Sequence, residues 1–158
     1  MTFKENGIFQ NEHGWWVVKD SKVDFSATGF YDHGNEIWKA TNGKVNFKET
    51  GMFRNNDGDM LYRVKNSKVD TKANGIYQYG NDWYKTTNGE VTFDENGLFK
   101  GDNGTFYVRN SKVDFDFTGL ASNSSGTYYV ENGKVNTKKN GKINLEGQTF
   151  TLKNGKVV

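Results

Sequence analysis

The spacing of seven valines constrains the fold of this chain more than any other feature. Val23, Val45, Val69, Val91, Val113, Val135 and Val157 each follow Lys or Glu, at intervals of 22, 24, 22, 22, 22 and 22 residues. A period of this length signals an array of small supersecondary units, none of which can bury its apolar face alone. Just ahead of each Lys/Glu-Val pair stands a turn dipeptide: Asp20-Ser21, Asn42-Gly43, Asn66-Ser67, Asn88-Gly89, Asn110-Ser111, Asn132-Gly133 and Asn154-Gly155. Asn-Gly between alternating apolar runs marks a type I′ hairpin turn, because both central residues need positive φ. Six residues after each of the first six valines comes a glycine preceded by Thr or Asn: Gly29, Gly51, Gly75, Gly97, Gly119 and Gly141.

A two-residue loop at each dipeptide fixes the pairing outward from the turn. Val18 is then expected opposite Val23, and Trp16 opposite Phe25. Further along, Val64 meets Val69, Val108 meets Val113, and Phe106 meets Phe115. These pairs share one face, since side chains alternate along a strand. The other face is expected to be polar: Lys39 opposite Asn46, Arg63 opposite Asp70, Lys85 opposite Thr92. A lone hairpin of this kind is marginal in water, so stacking must bury the apolar faces. The residue after each glycine completes that core at Phe30, Met52, Ile76, Leu98 and Leu120, and Lys142 breaks the pattern. The expectation is an all-β solenoid of stacked two-stranded antiparallel β-hairpins, about 22 residues per hairpin, in a single domain over residues 1–158 with 136–158 as a terminal capping repeat.

A second period overlies the first. Turns alternate between Ser and Gly, and the Ser-type hairpins carry a basic residue on both sides: Lys19 and Lys22, Lys65 and Lys68, Arg109 and Lys112. The repeating unit is therefore a pair of hairpins, about 44 residues. Like charges opposite one another are mildly unfavourable. Two readings account for them: protection of exposed edges against sheet-to-sheet aggregation, or a basic stripe that meets an anionic polymer.

Composition excludes several classes. Apolar residues make up 34% and aromatics 15%, which suits a thin core rather than a thick one. With 21 basic and 19 acidic residues, net charge +2, the balance does not point to nucleic acid. No apolar run is long enough to span a bilayer, so no membrane insertion is expected. There is no cysteine, and His13 and His33 both sit beside glycines without metal-ligand spacing, so no metal or other cofactor is expected. Asn55-Asn56-Asp57-Gly58-Asp59 lacks the glutamate of a calcium loop and reads as a long turn. No catalytic constellation emerges, and the chain is expected to be no enzyme. Met1 leads into the middle of a repeat, since Thr2–Phe9 mirrors Thr92–Phe99. We therefore expect a piece of a longer protein whose export signal lies elsewhere.

The segment from Asn11 to Phe30, with Gly14-Trp15-Trp16-Val17-Val18, Lys22-Val23-Asp24-Phe25 and Thr28-Gly29-Phe30, resembles the cell-wall-binding repeat superfamily. That group holds the choline-binding and glucan-binding repeats of Firmicutes surface proteins, and the resemblance runs over essentially the whole chain. It implies a non-catalytic module of an extracellular surface or secreted protein. In choline-binding members a strand aromatic and a Trp after the repeat glycine cage a quaternary ammonium. Here the position after the glycine is never Trp, and the second strand position is aromatic throughout (Trp16, Trp38, Tyr62, Tyr84, Phe106, Tyr128, Phe150), where the pairing above places it in the core.

Three functions are compatible with this reading. The first is attachment to cell-wall polymer or glycan, with Trp15, Trp83, Tyr107 and Tyr129 stacking on sugars and Lys19, Lys22, Lys65, Lys68, Arg109 and Lys112 meeting phosphates. The second is an adhesin that binds a host protein such as an immunoglobulin or mucin. The third is a spacer. A monomer is expected in each case.

Overall fold

A computed structural model describes residues 5–158. It is all-β: every element from Gly7–Asn11 to Lys156–Val157 is a strand, and no helix occurs among the described residues. The chain divides into two compact units, Met1–Ala73 with Asn88–Glu90, and Asn74–Thr87 with Val91–Val158.

In the first unit, Gly7–Asn11, Gly14–Lys19, Lys22–Val23 and Lys44–Val45 form one sheet. A second sheet contains Gly29–His33, Glu36–Ala40, Gly51–Arg54, Leu61–Lys65 and Lys68–Val69. The second unit holds an 11-stranded sheet running from Ile76–Tyr79 to Lys156–Val157. Within each unit the hairpins stack, because the residue after a glycine buries against the valine pair that flanks the second turn dipeptide beyond it. Phe30 clusters with Val64 and Val69. Ile76 does so with Val108 and Val113, and Leu98 with Val130 and Val135. Lys142, at the equivalent point near the end, is exposed.

The turn dipeptides behave as their residues demand. Asn42 and Gly43 have φ of 51° and 82°, and Asn66 and Ser67 have 53° and 64°. Val18 pairs with Val23 and Lys19 with Lys22; Val64–Val69 and Lys65–Lys68 follow suit, as do Val108–Val113 and Arg109–Lys112.

The expected ladder stops there, however. Phe25 does not pair with Trp16, nor Phe115 with Phe106, and both phenylalanines stand exposed, Phe25 at 67%. Two causes act together. Asp24 turns the chain by accepting the Ser26 amide at 3.0 Å, a local bond that competes with a strand. The outer positions of the longer strand are meanwhile taken by the next repeat: Trp16 pairs with Lys44, Trp38 with Lys68, Tyr84 with Lys112, Phe106 with Lys134 and Tyr128 with Lys156.

Each repeat therefore has three strands. Its longer hairpin lies on the other side of the aromatic strand, as in Gly29–His33 against Glu36–Ala40, where Phe30 meets Lys39 and Tyr31 meets Trp38. The second-position aromatics are accordingly half-buried, packed against the core rather than enclosed in it.

The face expected to be polar also differs. Lys39 is 8% exposed. Its ammonium lies 3.2 Å from Glu49, 3.1 Å from Thr41 Oγ1 and 4.9 Å from the centre of the Phe53 ring. Lys85, Glu95, Thr87 and Phe99 repeat this arrangement, with an ion pair of 3.1 Å. A buried lysine is retained only where a carboxylate and hydrogen bonds compensate it, and both networks supply them.

The Ser/Gly alternation has a structural cause. The hydroxyl of Ser67, fully buried, accepts the Glu49 amide at 3.2 Å and donates to Asn46 at 3.0 Å. Ser111 likewise accepts the Glu95 amide at 3.1 Å, and Ser21 the Glu5 amide at 2.9 Å. A glycine turn packs closer: a Cβ on Gly43 would stand 2.5 Å from the Asp24 carbonyl oxygen. The Thr or Asn before each repeat glycine has its reason too. Its side-chain oxygen accepts the first turn amide of the next hairpin, as in Asn42 to Thr28 at 3.1 Å and Asn110 to Asn96 at 2.9 Å.

Candidate ligand-binding surface

The inter-repeat register decides where charge meets aromatic rings. Because the lysine directly after the turn dipeptide pairs with the aromatic of the preceding repeat, its ammonium lies over that ring. Lys44 stands 4.9 Å from the Trp16 ring centre. Lys68 is 5.6 Å from Trp38, Lys134 is 5.7 Å from Phe106 and Lys156 is 5.9 Å from Tyr128. Gly14 makes room for such a lysine, since a Cβ there would meet Lys44 Cε at 2.8 Å. Where the glycine is replaced by an acid, the lysine gains an ion pair instead: Lys68 with Glu36 at 3.0 Å and Lys112 with Asp82 at 3.3 Å. At Tyr62 the corresponding partner is Glu90, and there the phenol is held above its ordinary range by burial and then by Glu90, Asp32 and Asp59.

The first unit gathers four aromatic rings. Trp15 lies edge-on to His33 at 5.0 Å, to Trp38 at 4.9 Å and to Phe47 at 5.2 Å. Phe47 also meets Trp38 at 5.7 Å. Phe47 occupies the left-handed region at φ 61° and is 42% exposed. For a bulky residue that conformation is strained by about 1–2 kcal/mol, and its product is a ring held outward against two indoles. The Trp38 indole nitrogen is buried and donates to no acceptor among the described residues.

Trp38 and Phe47 form the apolar wall of an open cavity of about 500 Å³, completed by Lys65, Asn66, Lys68, Asp70 and Lys72. Three lysines and one aspartate thus line it beside an aromatic surface, and Glu36 holds the Lys68 ammonium at 3.0 Å. The equivalent turn in the second unit lines a cavity of about 300 Å³ with Arg109, Lys112 and Phe115, but also with Asp82, Asp114 and Asp116. Its polarity is reversed and it holds no tryptophan.

The residues singled out from sequence are distributed unevenly over these features. Lys65 and Lys68 line the first cavity, Trp15 backs its aromatic wall, and Arg109 and Lys112 line the second. Lys19 and Lys22 face one another at an exposed turn. Trp83 packs against the Ile76–Val108–Val113 cluster, Tyr107 stacks on Phe117 at 3.9 Å, and Tyr129 lies under Lys139 at 5.8 Å. Trp38, Phe47, Asp70 and Lys72 were not singled out. Trp38 shares its sequence position with six other aromatics and so reads as core, and nothing in the sequence reports the left-handed backbone of Phe47.

Among known proteins, the sequence profile of the choline-binding repeat family matches residues 4–24, 94–114 and 116–136. These segments are repeats of the cell-wall-binding kind that the sequence resembles. No curated protein matches the chain. A solved structure of CbpJ from Streptococcus pneumoniae TIGR4 is similar at 18% identity and TM-score 0.37, covering 98% of this chain and 52% of that one. Alternansucrase, solved in complex with isomaltononaose, is similar at 11% identity and TM-score 0.30, over 97% of this chain and 15% of that one. The chain thus spans about half of the first protein's length and a small part of the second's.

Proposed function

From repeats of the cell-wall-binding superfamily, we propose that this chain is a non-catalytic attachment module of an extracellular bacterial protein, recognising a cell-wall polymer or glycan. The observation that carries this reading is the cavity in which Trp38 and Phe47 stand beside Lys65, Lys68 and Lys72. An apolar wall with a few convergent polar groups is the usual form of a small-ligand site. An aromatic face suits the C–H face of a sugar ring, and the ammonium groups suit phosphate or carboxylate. The repeat scaffold has a separate use. It supplies the stacking that positions such a wall, supported in the same unit by the buried Lys39–Glu49 network.

Co-sedimentation with purified cell walls tests the proposal. The chain is expected in the wall pellet at low ionic strength and in the supernatant as salt rises, because exposed charges are screened. A chain that stays in solution at every ionic strength, or that instead forms a stoichiometric complex with a soluble host protein, would refute it.

A further inference from the structure

We propose that the cavity lined by Trp38, Phe47, Lys65, Lys68 and Lys72 takes an anionic saccharide and does not take a quaternary ammonium. This rests on the attachment reading and specifies its ligand. The sugar ring lies on the exposed Phe47 ring beside Trp38, and its phosphate or carboxylate meets Lys65 and Lys72.

Three observations carry the inference. The lining carries Lys65, Lys68 and Lys72 with Asp70, and Glu36 pairs with Lys68 at 3.0 Å, so three cationic side chains outnumber two carboxylates and a trimethylammonium entering there meets like charge. The ring face that would attract it is already served from within: Lys68 stands 5.6 Å over Trp38 and is held by Glu36 at 3.0 Å. The same internal pairing recurs at Trp16, Phe106 and Tyr128, so it follows from the inter-repeat register and not from one side chain. Thirdly, the chain contains its own counter-example. At the equivalent turn Arg109, Lys112, Asp114 and Asp116 stand where Lys65, Lys68, Asp70 and Lys72 do, and Asp82 pairs with Lys112 as Glu36 does with Lys68, so three carboxylates there outnumber two cationic side chains. Of these two cavities, the first combines an aromatic wall with excess positive charge.

Calorimetric titration of the 158-residue chain tests this with four probes: oligogalacturonate, glucosylated poly(glycerol phosphate), dextran and choline chloride. Binding of at least one of the two anionic glycans is expected, and which one binds tells carboxylate from phosphate. Dextran is expected to bind at least about tenfold more weakly, because charge-assisted hydrogen bonds are lost, and choline not at all. The double substitution Lys65→Gln/Lys72→Gln is expected to weaken the anionic glycan by about tenfold. Phe47→Asn weakens it too while keeping the fold, since Asn accepts a left-handed backbone; an unchanged thermal melt verifies this. Arg109→Gln leaves binding as it is. Equal affinity for dextran, binding of choline, no binding of either anionic glycan by a chain that still sediments with walls, or an equal loss in Arg109→Gln overturns the inference and leaves the attachment reading standing. A chain that neither sediments with walls nor binds any glycan overturns both.

Discussion

Replacing Glu49 by Gln isolates the electrostatic part of the buried network without changing its shape. The Glu49 carboxylate accepts from Lys39 at 3.3 Å and from Thr41 at 2.9 and 3.0 Å. The two charged side chains are 10% and 21% exposed. Gln keeps one acceptor oxygen but turns charge-assisted bonds into neutral ones. Bonds to charged groups contribute about 1.5–3 kcal/mol and neutral ones about 0.5–1.5 kcal/mol. The expected loss is therefore about 1–2 kcal/mol, below the 3–5 kcal/mol or so of a fully dry pair because some solvent reaches Glu49. Urea unfolding read by tryptophan fluorescence suits the measurement, since Trp15, Trp16 and Trp38 all lie in the first unit. With a denaturant slope of about 2 kcal/mol per molar, the midpoint should fall by about 0.5–1 M. Lys39→Met in the same background should recover part of the loss, because it removes the ammonium left without its counter-charge. Glu95→Gln should act in the same way on the second unit, read there by faster exchange of the Lys85 amide that donates to Ser111 at 2.7 Å. An unchanged midpoint in Glu49→Gln, with coupling to Lys39→Met below about 0.3 kcal/mol, would show that solvent screens the pair and that it does not hold the stack.

Glu90→Lys should place an ammonium over Tyr62, as Lys44 lies over Trp16, and stabilise the fold by about 0.5–1 kcal/mol. It should also bring the Tyr62 phenol down toward its ordinary range in an alkaline absorbance titration. Because the folded state holds that proton more tightly, the stabilisation it confers is complete below the ordinary tyrosine pKa and is lost as pH rises through the folded value. Gly43→Ser should cost about 2 kcal/mol by thermal melt, since its Cβ meets the Asp24 carbonyl at 2.5 Å. Ser67→Gly should cost about 1–2 kcal/mol through two lost buried hydrogen bonds. The Asp24 carboxyl is held below its usual range by hydrogen bonds from Ser26, so Ser26→Ala should raise its titration midpoint in an NMR acid titration. The small stabilisation from that carboxylate is present above the ordinary Asp pKa and lost as pH falls through the lowered one.

The sequence revealed those parts of the fold whose residue types are dictated by backbone geometry. Asn42-Gly43 and its counterparts need positive φ, and the valine pairs flank them at fixed register, so both were legible. So was the burial of Phe30, Ile76 and Leu98, because each follows a glycine at constant spacing. The longer hairpin was less legible: its turns include Glu12-His13, Gly34-Asn35, Gly80-Asn81, Asp102-Asn103, Ser124-Ser125 and Glu146-Gly147, so no one dipeptide marks it in every repeat. Burial of Lys39 and Lys85 was hidden for a different reason. It depends on Glu49 and Glu95, which lie ten residues away and meet the lysines only in the folded chain. The pairing of one repeat's aromatic with the next repeat's lysine is likewise an interaction between repeats, and it moved Phe25 and Phe115 from the core to the surface. At the candidate site, the turn charges Lys65 and Lys68 were visible as a recurring pattern. The aromatic wall was not, since Trp38 sits at a position where every repeat has a ring.

The most direct test of the attachment account is elution of the chain from purified cell walls. Rising salt and a polyanionic glycan should each release it, while choline chloride at equal ionic strength should release no more than salt alone. Failure to bind the walls, or release by choline well below the ionic strength that salt requires, would contradict it.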